Sequence, residues 1–219
     1  MNSFLSKSRS SWPLAAVLLL TVGCDRAGRD PVPAAAERSN ATALQMNPSD
    51  AQFLDQIQSN RPDDGSVHDL EFVNPQGDRV QISQYQGKKN LVLVFTRGFS
   101  GQLCPYCTTQ TSRLIANYDK FKQRDAEVLL VYPGSREQLP QFQQAGLQAS
   151  GKDSFPFPVL LDEDLAAVKQ LGIVAQLASP STFIIDREGK VRLSYVGSTP
   201  ADRPSIQAML DQLDQIVEE

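Results

Sequence analysis

The chain has 219 residues, 41% of them hydrophobic and 21% charged, with a formal net charge of -4 and a pI near 5.1. Such a composition describes an ordinary globular protein able to fill one core. With no long basic run there is no electrostatic footprint for a phosphate backbone, so nucleic acid is excluded as an expected partner.

Lys7 and Arg9 precede a short apolar stretch, Leu14 to Val22, which ends at Gly23 and Cys24. The stretch falls short of the roughly 20 apolar residues a helix needs to span a bilayer and is built like a secretion signal. A small residue followed at once by cysteine at the end of such a core resembles the lipobox of bacterial lipoproteins, with Thr21 standing where leucine is usual. The resemblance implies cleavage before Cys24, lipidation of that cysteine, and an extracytoplasmic protein anchored to a bacterial membrane. Residues 24–47, rich in Pro, Ala and charge, carry no apolar periodicity and are expected to form a flexible tether. Residues 48–219 are then the folded domain.

Within that domain Phe53, Leu54 and Ile57 predict a short amphipathic helix, followed by a strand over Val67–Val73, a turn at Asn74–Gly77 and a second strand over Arg79–Ile82. The run Leu91 to Phe95 is apolar without alternation, as in a strand covered on both faces. Leu114, Ile115, Tyr118 and Phe121 recur at helical spacing, and Ala126–Tyr132 is a further buried strand. Ser135 and Gln138 resemble a capping box opening a helix through Phe142. Val159–Leu161 predicts a strand, and Leu165, Val168 and Leu171 a helix stopped at Gly172. Ser181–Asp186 and Lys190–Val196 flank a turn as an antiparallel hairpin, and Ile206, Met209, Leu210, Leu213, Ile216 and Val217 line one face of a last helix. Helices alternating with strands imply an α/β fold with a central mixed sheet flanked by helices and an N-terminal β-hairpin extension.

Two cysteines, Cys104 and Cys107, lie just past the buried run Leu91 to Phe95. The C-terminal edge of a buried strand leading into a helix N-terminus is where such sheets place reactive groups. Cys104 is expected at the first helical turn, where unpaired N–H groups and the helix dipole favour a thiolate. Pro105 suits the position after it. Cys107, one turn on, is within reach for a disulfide and less accessible, so Cys104 attacks and Cys107 resolves. Zinc would need four ligands, and the folded part offers two cysteines and His68. A structural disulfide closing so short a loop would stabilise weakly. A redox-active pair without any bound cofactor or metal is the expected reading. His68 is expected on an exposed strand, and Asp186 at the hairpin turn.

The segments Val94–Gly98 with Cys104-Pro105-Tyr106-Cys107, and Pro180–Val191, make the chain from about Val67 onward similar to the redoxin branch of the thioredoxin superfamily. That branch includes AhpC/TSA-type peroxiredoxin-like proteins and membrane-anchored thioredoxin-like proteins. The resemblance implies a thioredoxin-like fold, a cis peptide bond at Pro180 beside the disulfide, and a Ser179 backbone that pairs with an extended substrate. Phe99 to Leu103 includes about three extra residues relative to the similar stretch, and Leu103 stands where tryptophan is usual. The positions at which a typical peroxiredoxin carries its motif proline and threonine hold Arg97 and Gly101, and Pro180 replaces an arginine. Arg97 is left as the nearby charge able to lower the pKa of Cys104.

These readings lead to a membrane-anchored thiol–disulfide oxidoreductase acting on protein or small-molecule disulfides and recharged by an upstream thiol donor. The alternatives are a thiol peroxidase with Cys104 peroxidatic and Cys107 resolving, and a copper-delivery or binding module, since thiolates bind Cu(I). The anchor has its own test. Cys24→Ala should release the protein from the membrane fraction while exchange activity in a soluble assay is kept, and a mutant that still sediments with membranes contradicts the lipobox reading.

Overall fold

The computed structural model describes residues 48–63, 65–99 and 101–218. The expected signal segment, the tether and Cys24 lie outside the described residues. A seven-stranded mixed sheet forms the centre, in the order β3-β2-β6-β5-β4-β7-β8. Its strands are β2 (Glu71–Val73), β3 (Arg79–Gln81), β4 (Asn90–Phe95), β5 (Ala126–Tyr132), β6 (Val159–Leu161), β7 (Ser181–Ile185) and β8 (Val191–Val196). β4, β5 and β6 are parallel, while β7 runs antiparallel to β4 and to β8, and β2 antiparallel to β3 and β6. The helices are α1 (Pro105–Lys122), α2 (Leu139–Ser150), α3 (Ala166–Gln170) and α4 (Ile206–Glu218).

The apolar run of β4 is buried at every position because its two faces enter different cores. Val92 and Val94 join Leu114, Phe121, Phe142 and Met209 on one side, whereas Leu91, Leu93 and Phe95 join Phe72, Val168 and Phe183 on the other. Alternation is therefore present in packing although hydropathy does not show it. The hairpin of β7 and β8 turns as expected, with buried Asp186 accepting from the Lys190 N–H at 2.7 Å and pairing with Arg192 at 2.6 Å.

Four expectations need correction. Phe53 and Leu54 belong not to a helix but to a strand, β1 (Gln52–Leu54), which pairs in parallel with β9 (Asp202–Pro204) and places Phe53 opposite Arg203. Three apolar residues in five fit either period, and the partner that decides between them is about 150 residues away. The strand expected over Val67–Val73 exists only as β2, because Leu70 N–H bonds to Val67 O and His68 N–H to Gly65 O in turns. His68 is accordingly half-buried in a turn. Ile82 starts a 3-10 turn instead of ending β3. The capping-box serine makes no side-chain cap; a 3-10 turn at Arg136–Gln138 leads into α2, whose first turn takes Pro140, a residue suited to a place where no N–H is needed.

The segment between β4 and α1 crosses the end of β5 at Gly98, whose φ is +79° and whose missing Cβ would strike the carbonyl oxygen of Pro133. No side chain fits there without moving backbone. Gly98→Ala should destabilise the protein by more than about 2 kcal/mol, combining left-handed strain with a backbone clash. Chemical denaturation followed by circular dichroism measures this, and a change below about 0.5 kcal/mol would contradict the close approach.

Candidate active site

Cys104 is the N-cap of α1, extended at φ -77° and ψ 111°, and Pro105 takes the first helical turn, as the sequence implies. Its Sγ accepts the N–H of Cys107 at 3.4 Å, so the thiol serves one of the donors that every helix start leaves unpaired. Both cysteines are free thiols and both are buried, Cys107 at 1% exposure and Cys104 at 3%. Phe99 and Leu103, from the segment that precedes Cys104, pack on the same core cluster as the two sulfurs.

Cys107 Sγ has two donors of its own. The Arg97 N–H reaches it at 3.3 Å and Nη2 of Arg203 at 3.4 Å. Arg203 has no solvent exposure. Its Nη1 donates to Gln110 Oε1, one turn beyond Cys107 on α1, and its Nη2 also donates to Pro200 O at 3.0 Å. β9 holds this guanidinium in place. Asp202, beside it, accepts from the Tyr195 hydroxyl at 2.6 Å and from the N–H and hydroxyl of Ser198, both at 2.9 Å. Gly197 N–H bonds to Pro180 O at 2.8 Å. A Cβ on Gly197 would strike Asp202 O and press on Pro180, so glycine is required where the loop turns toward β9.

The two sulfurs titrate in opposite directions. Hydrogen bonding with the Cys107 thiol brings the pKa of Cys104 down to about 6 against the effect of burial, helped by the Arg203 charge, the Cys107 N–H and, last, the Arg97 charge. Burial pushes the Cys107 thiol up, and Cys104 adds to this, while Arg203 and the Arg97 N–H oppose it. The reduced pair at neutral pH is thus a monoanion with its charge on Cys104 and its proton on Cys107. Tyr132, on β5, is within electrostatic reach; burial first, and then a negative Cys107, push its pKa up to about 12. Its hydroxyl has no hydrogen-bond partner among the described residues.

The site residues expected from sequence meet unevenly. Cys104, Pro105, Cys107 and Arg97 come together, but Arg97 acts on Cys107 through its backbone, and its side chain reaches Gln176 at 3.5 Å. The cis bond expected at Pro180 is absent: the described residues contain no cis peptide. A trans bond lets Pro180 continue the extended path of β7 and extend the ladder to Gly197. Nor is Ser179 open to an extended substrate, because its N–H is taken by Ile173 O at 2.8 Å and its carbonyl by the Ser181 hydroxyl at 3.0 Å. Arg203 and Gln110 were missed. The helical spacing from Cys107 marks Gln110 as its neighbour on α1, but no local signal marks Arg203.

Residues 65–194 match the AhpC/TSA family. The chain belongs to that family. Peroxiredoxin Bcp of Bacillus subtilis (strain 168) is 30% identical to it over 132 residues, 56% of this chain and 77% of that protein. The chloroplastic peroxiredoxin Q of Suaeda salsa is 30% identical over 123 residues, and the match spans about half of each protein, 54% of this chain and 52% of the relative. Among solved structures, peroxidoxin BcpB from Mycobacterium tuberculosis superposes with a TM-score of 0.55 at 19% identity, covering 74% of this chain and 99% of that one. Peroxiredoxin 6 of Arenicola marina gives 0.61 at 20% identity, covering 74% of each. These likenesses establish a thioredoxin-type fold as peroxiredoxins carry it.

A pKa near 6 fixes the pH dependence of the free nucleophile. The thiolate absorbance of the reduced protein should be full above about pH 7 and fall as pH drops through about 6, because a depressed thiol pKa keeps the anion above that value and loses it below. Cys104→Ser should abolish this transition. A midpoint at the ordinary thiol value of about 8.5 would contradict the assignment.

Proposed function

We propose that the protein is a thiol peroxidase. The Cys104 thiolate attacks one oxygen of a hydroperoxide, the O–O bond breaks, and the other oxygen leaves as water or an alcohol once protonated. Cys104 is then a sulfenic acid. Cys107 condenses with it, releasing water and forming the Cys104–Cys107 disulfide, which an upstream thiol donor reduces. The observation that carries this reading is the buried Arg203 guanidinium against the cysteine pair. The guanidinium bonds to Cys107, the partner of the attacking sulfur, and its charge also lowers the pKa of Cys104, so a preorganised cation is in place to support charge that develops as the O–O bond opens. It brings a cation to the pair in a chain whose family-motif threonine and arginine positions hold Gly101 and Pro180. Relatives named peroxiredoxin support the same choice. The occupied Ser179 backbone counts against strand-like docking of protein disulfides.

One observation favours a second assignment of the sulfurs within this reaction. Cys107 holds both the guanidinium and the Arg97 N–H, which suits it to receive peroxide with Cys104 resolving. Lipid anchoring through Cys24, facing the periplasm or the cell exterior, remains part of the proposal on the strength of the leader's resemblance to a lipobox.

Stopped-flow oxidation of the reduced protein by hydrogen peroxide tests the activity. The rate should exceed that of a free thiol at the same thiolate fraction by about 10² or more, and Arg203→Met should remove about 10² to 10³ of it. Oxidation at the free-thiol rate, beside fast exchange with a small disulfide, would return the protein to the oxidoreductase reading. Trapping the sulfenic acid in Cys107→Ser and in Cys104→Ser identifies the sulfur that meets peroxide: adduct in the first variant alone supports Cys104, in the second alone Cys107.

A further inference from the structure

Arg203 is a charge inside the protein, and its surroundings answer only part of it. Gln110 and Pro200 supply neutral oxygens, Nε has no partner, and no carboxylate among the described residues pairs with the guanidinium. The nearest one in sequence, Asp202, is taken up by Tyr195 and Ser198. Among the described residues, the anion that this buried cation can meet is one formed on the cysteines. It exists in the dithiol state and not in the disulfide, so the guanidinium interacts differently with the two redox states, and that difference must act on the equilibrium between them.

We infer that Arg203 governs the reductive half of the cycle: it makes Cys107 the sulfur that leaves as thiolate when a thiol reductant attacks Cys104, and it draws the pair toward the dithiol. The inference rests on the two cysteines cycling through a disulfide and holds whichever of them meets peroxide. In the step itself a reductant thiolate forms a bond to Cys104 Sγ, the Cys104–Cys107 bond breaks, and its electron pair departs on Cys107 Sγ. That sulfur lies against Nη2 of Arg203 and the Arg97 N–H. A second reductant thiolate then attacks the reductant sulfur of the mixed disulfide, and Cys104 leaves with the pair. The reductant is oxidised to its disulfide, and Cys107 takes a proton from solvent.

The choice of leaving sulfur follows from donors that are present before any bond breaks. Among the described residues Cys107 has two, one of them cationic, whereas Cys104 has the Cys107 N–H and, in the dithiol state, the Cys107 thiol. The low pKa of Cys104 does not oppose this, since its largest cause is the Cys107 thiol proton, which the disulfide lacks. A better-stabilised leaving thiolate departs faster. Gln110 holds the guanidinium in register from the same helix that carries both sulfurs. It is a positioning residue one step removed.

Charge and not shape must carry the effect, and pH separates the two. The titratable or charged groups facing the pair are Arg203 from β9, Arg97 from the segment after β4 and Tyr132 from β5, together with the cysteines on α1. Below the thiolate transition both cysteines are protonated in the reduced state, and Arg203 has nothing to attract.

The experiment equilibrates the protein with glutathione redox buffers at about pH 7.5 and about pH 5, on either side of that transition. At the higher pH, Arg203→Met should move the equilibrium at least tenfold toward the disulfide, equivalent to about 30 mV or more. At the lower pH the difference should largely vanish, and Arg203→Lys should recover part of it. Gln110→Glu keeps the arginine but offers it a carboxylate, so it should shift the equilibrium in the same direction with the same pH dependence. That variant decides the matter if Arg203→Met does not fold. In wild type, acid quenching of the glutathione reaction followed by alkylation should find glutathione on Cys104 and the alkyl group on Cys107. Glutathione on Cys107, or a shift equal at both pH values, overturns the inference while leaving the peroxidase reading intact. Failure of the oxidised protein to form an internal disulfide overturns both.

Discussion

A guanidinium sealed from water dictates much of what surrounds it. The effective penalty for moving an ion into a protein interior is several kcal/mol even after relaxation, and three neighbours offset part of it for Arg203. Gln110 turns its carbonyl toward it, Pro200 contributes a backbone oxygen, and Cys107 presents its sulfur. The strand that delivers the charge is itself fixed. Asp202 is tied to Tyr195 and Ser198, β1 lies alongside in register, and Gly197 leaves room for the loop to turn under Pro180. Arg113 stacks over Phe53 at 3.9 Å, joining β1 to the helix that carries the sulfurs.

The same constraint divides labour between two sulfurs three residues apart. Cys104, at the helix cap, gains from a neighbouring thiol and an N–H group and carries the resting negative charge. Cys107, deeper, holds the proton but lies nearest the cation. The two thiols are hydrogen-bonded to each other, and the charge of Arg203 acts on both.

Most of the framework was legible in the sequence because its signals are local. β4 and β5 announce themselves by unbroken apolar runs, α1 and α4 by their periodicity, and the β7–β8 hairpin by its turn. Cys104 and Pro105 define a helix start in two residues. What escaped is held together across the chain. β1 and β9 are three residues each, too short for a period, and exist because they found one another. Arg203 sits between Asp202 and Pro204 in a polar stretch where any surface arginine could stand. Pro180 stands where the resemblance places an arginine, and Arg97 is the cation that most closely precedes the cysteines in sequence. Pro180 proved to support the loop that brings the real cation in. The cis bond and the open Ser179 edge came from the resemblance alone, whereas the peptide before Pro180 is trans and the Ser179 N–H is bonded to Ile173 O.

The family match runs from residue 65 to residue 194, and both strands of the small sheet fall outside it. The sulfurs thus belong to a scaffold shared with many relatives, whereas their cation rides on a clasp closed between the two flanks of that scaffold. The clasp meets the large sheet at Tyr195 of β8, whose hydroxyl bonds to Asp202, and adds no strand to it. Substitutions within it can alter the chemistry of the pair while the sheet and its two cores stay as they are. The sulfurs and the cation that tunes them are supplied by separate stretches of sequence, one inside the family match and one beyond it.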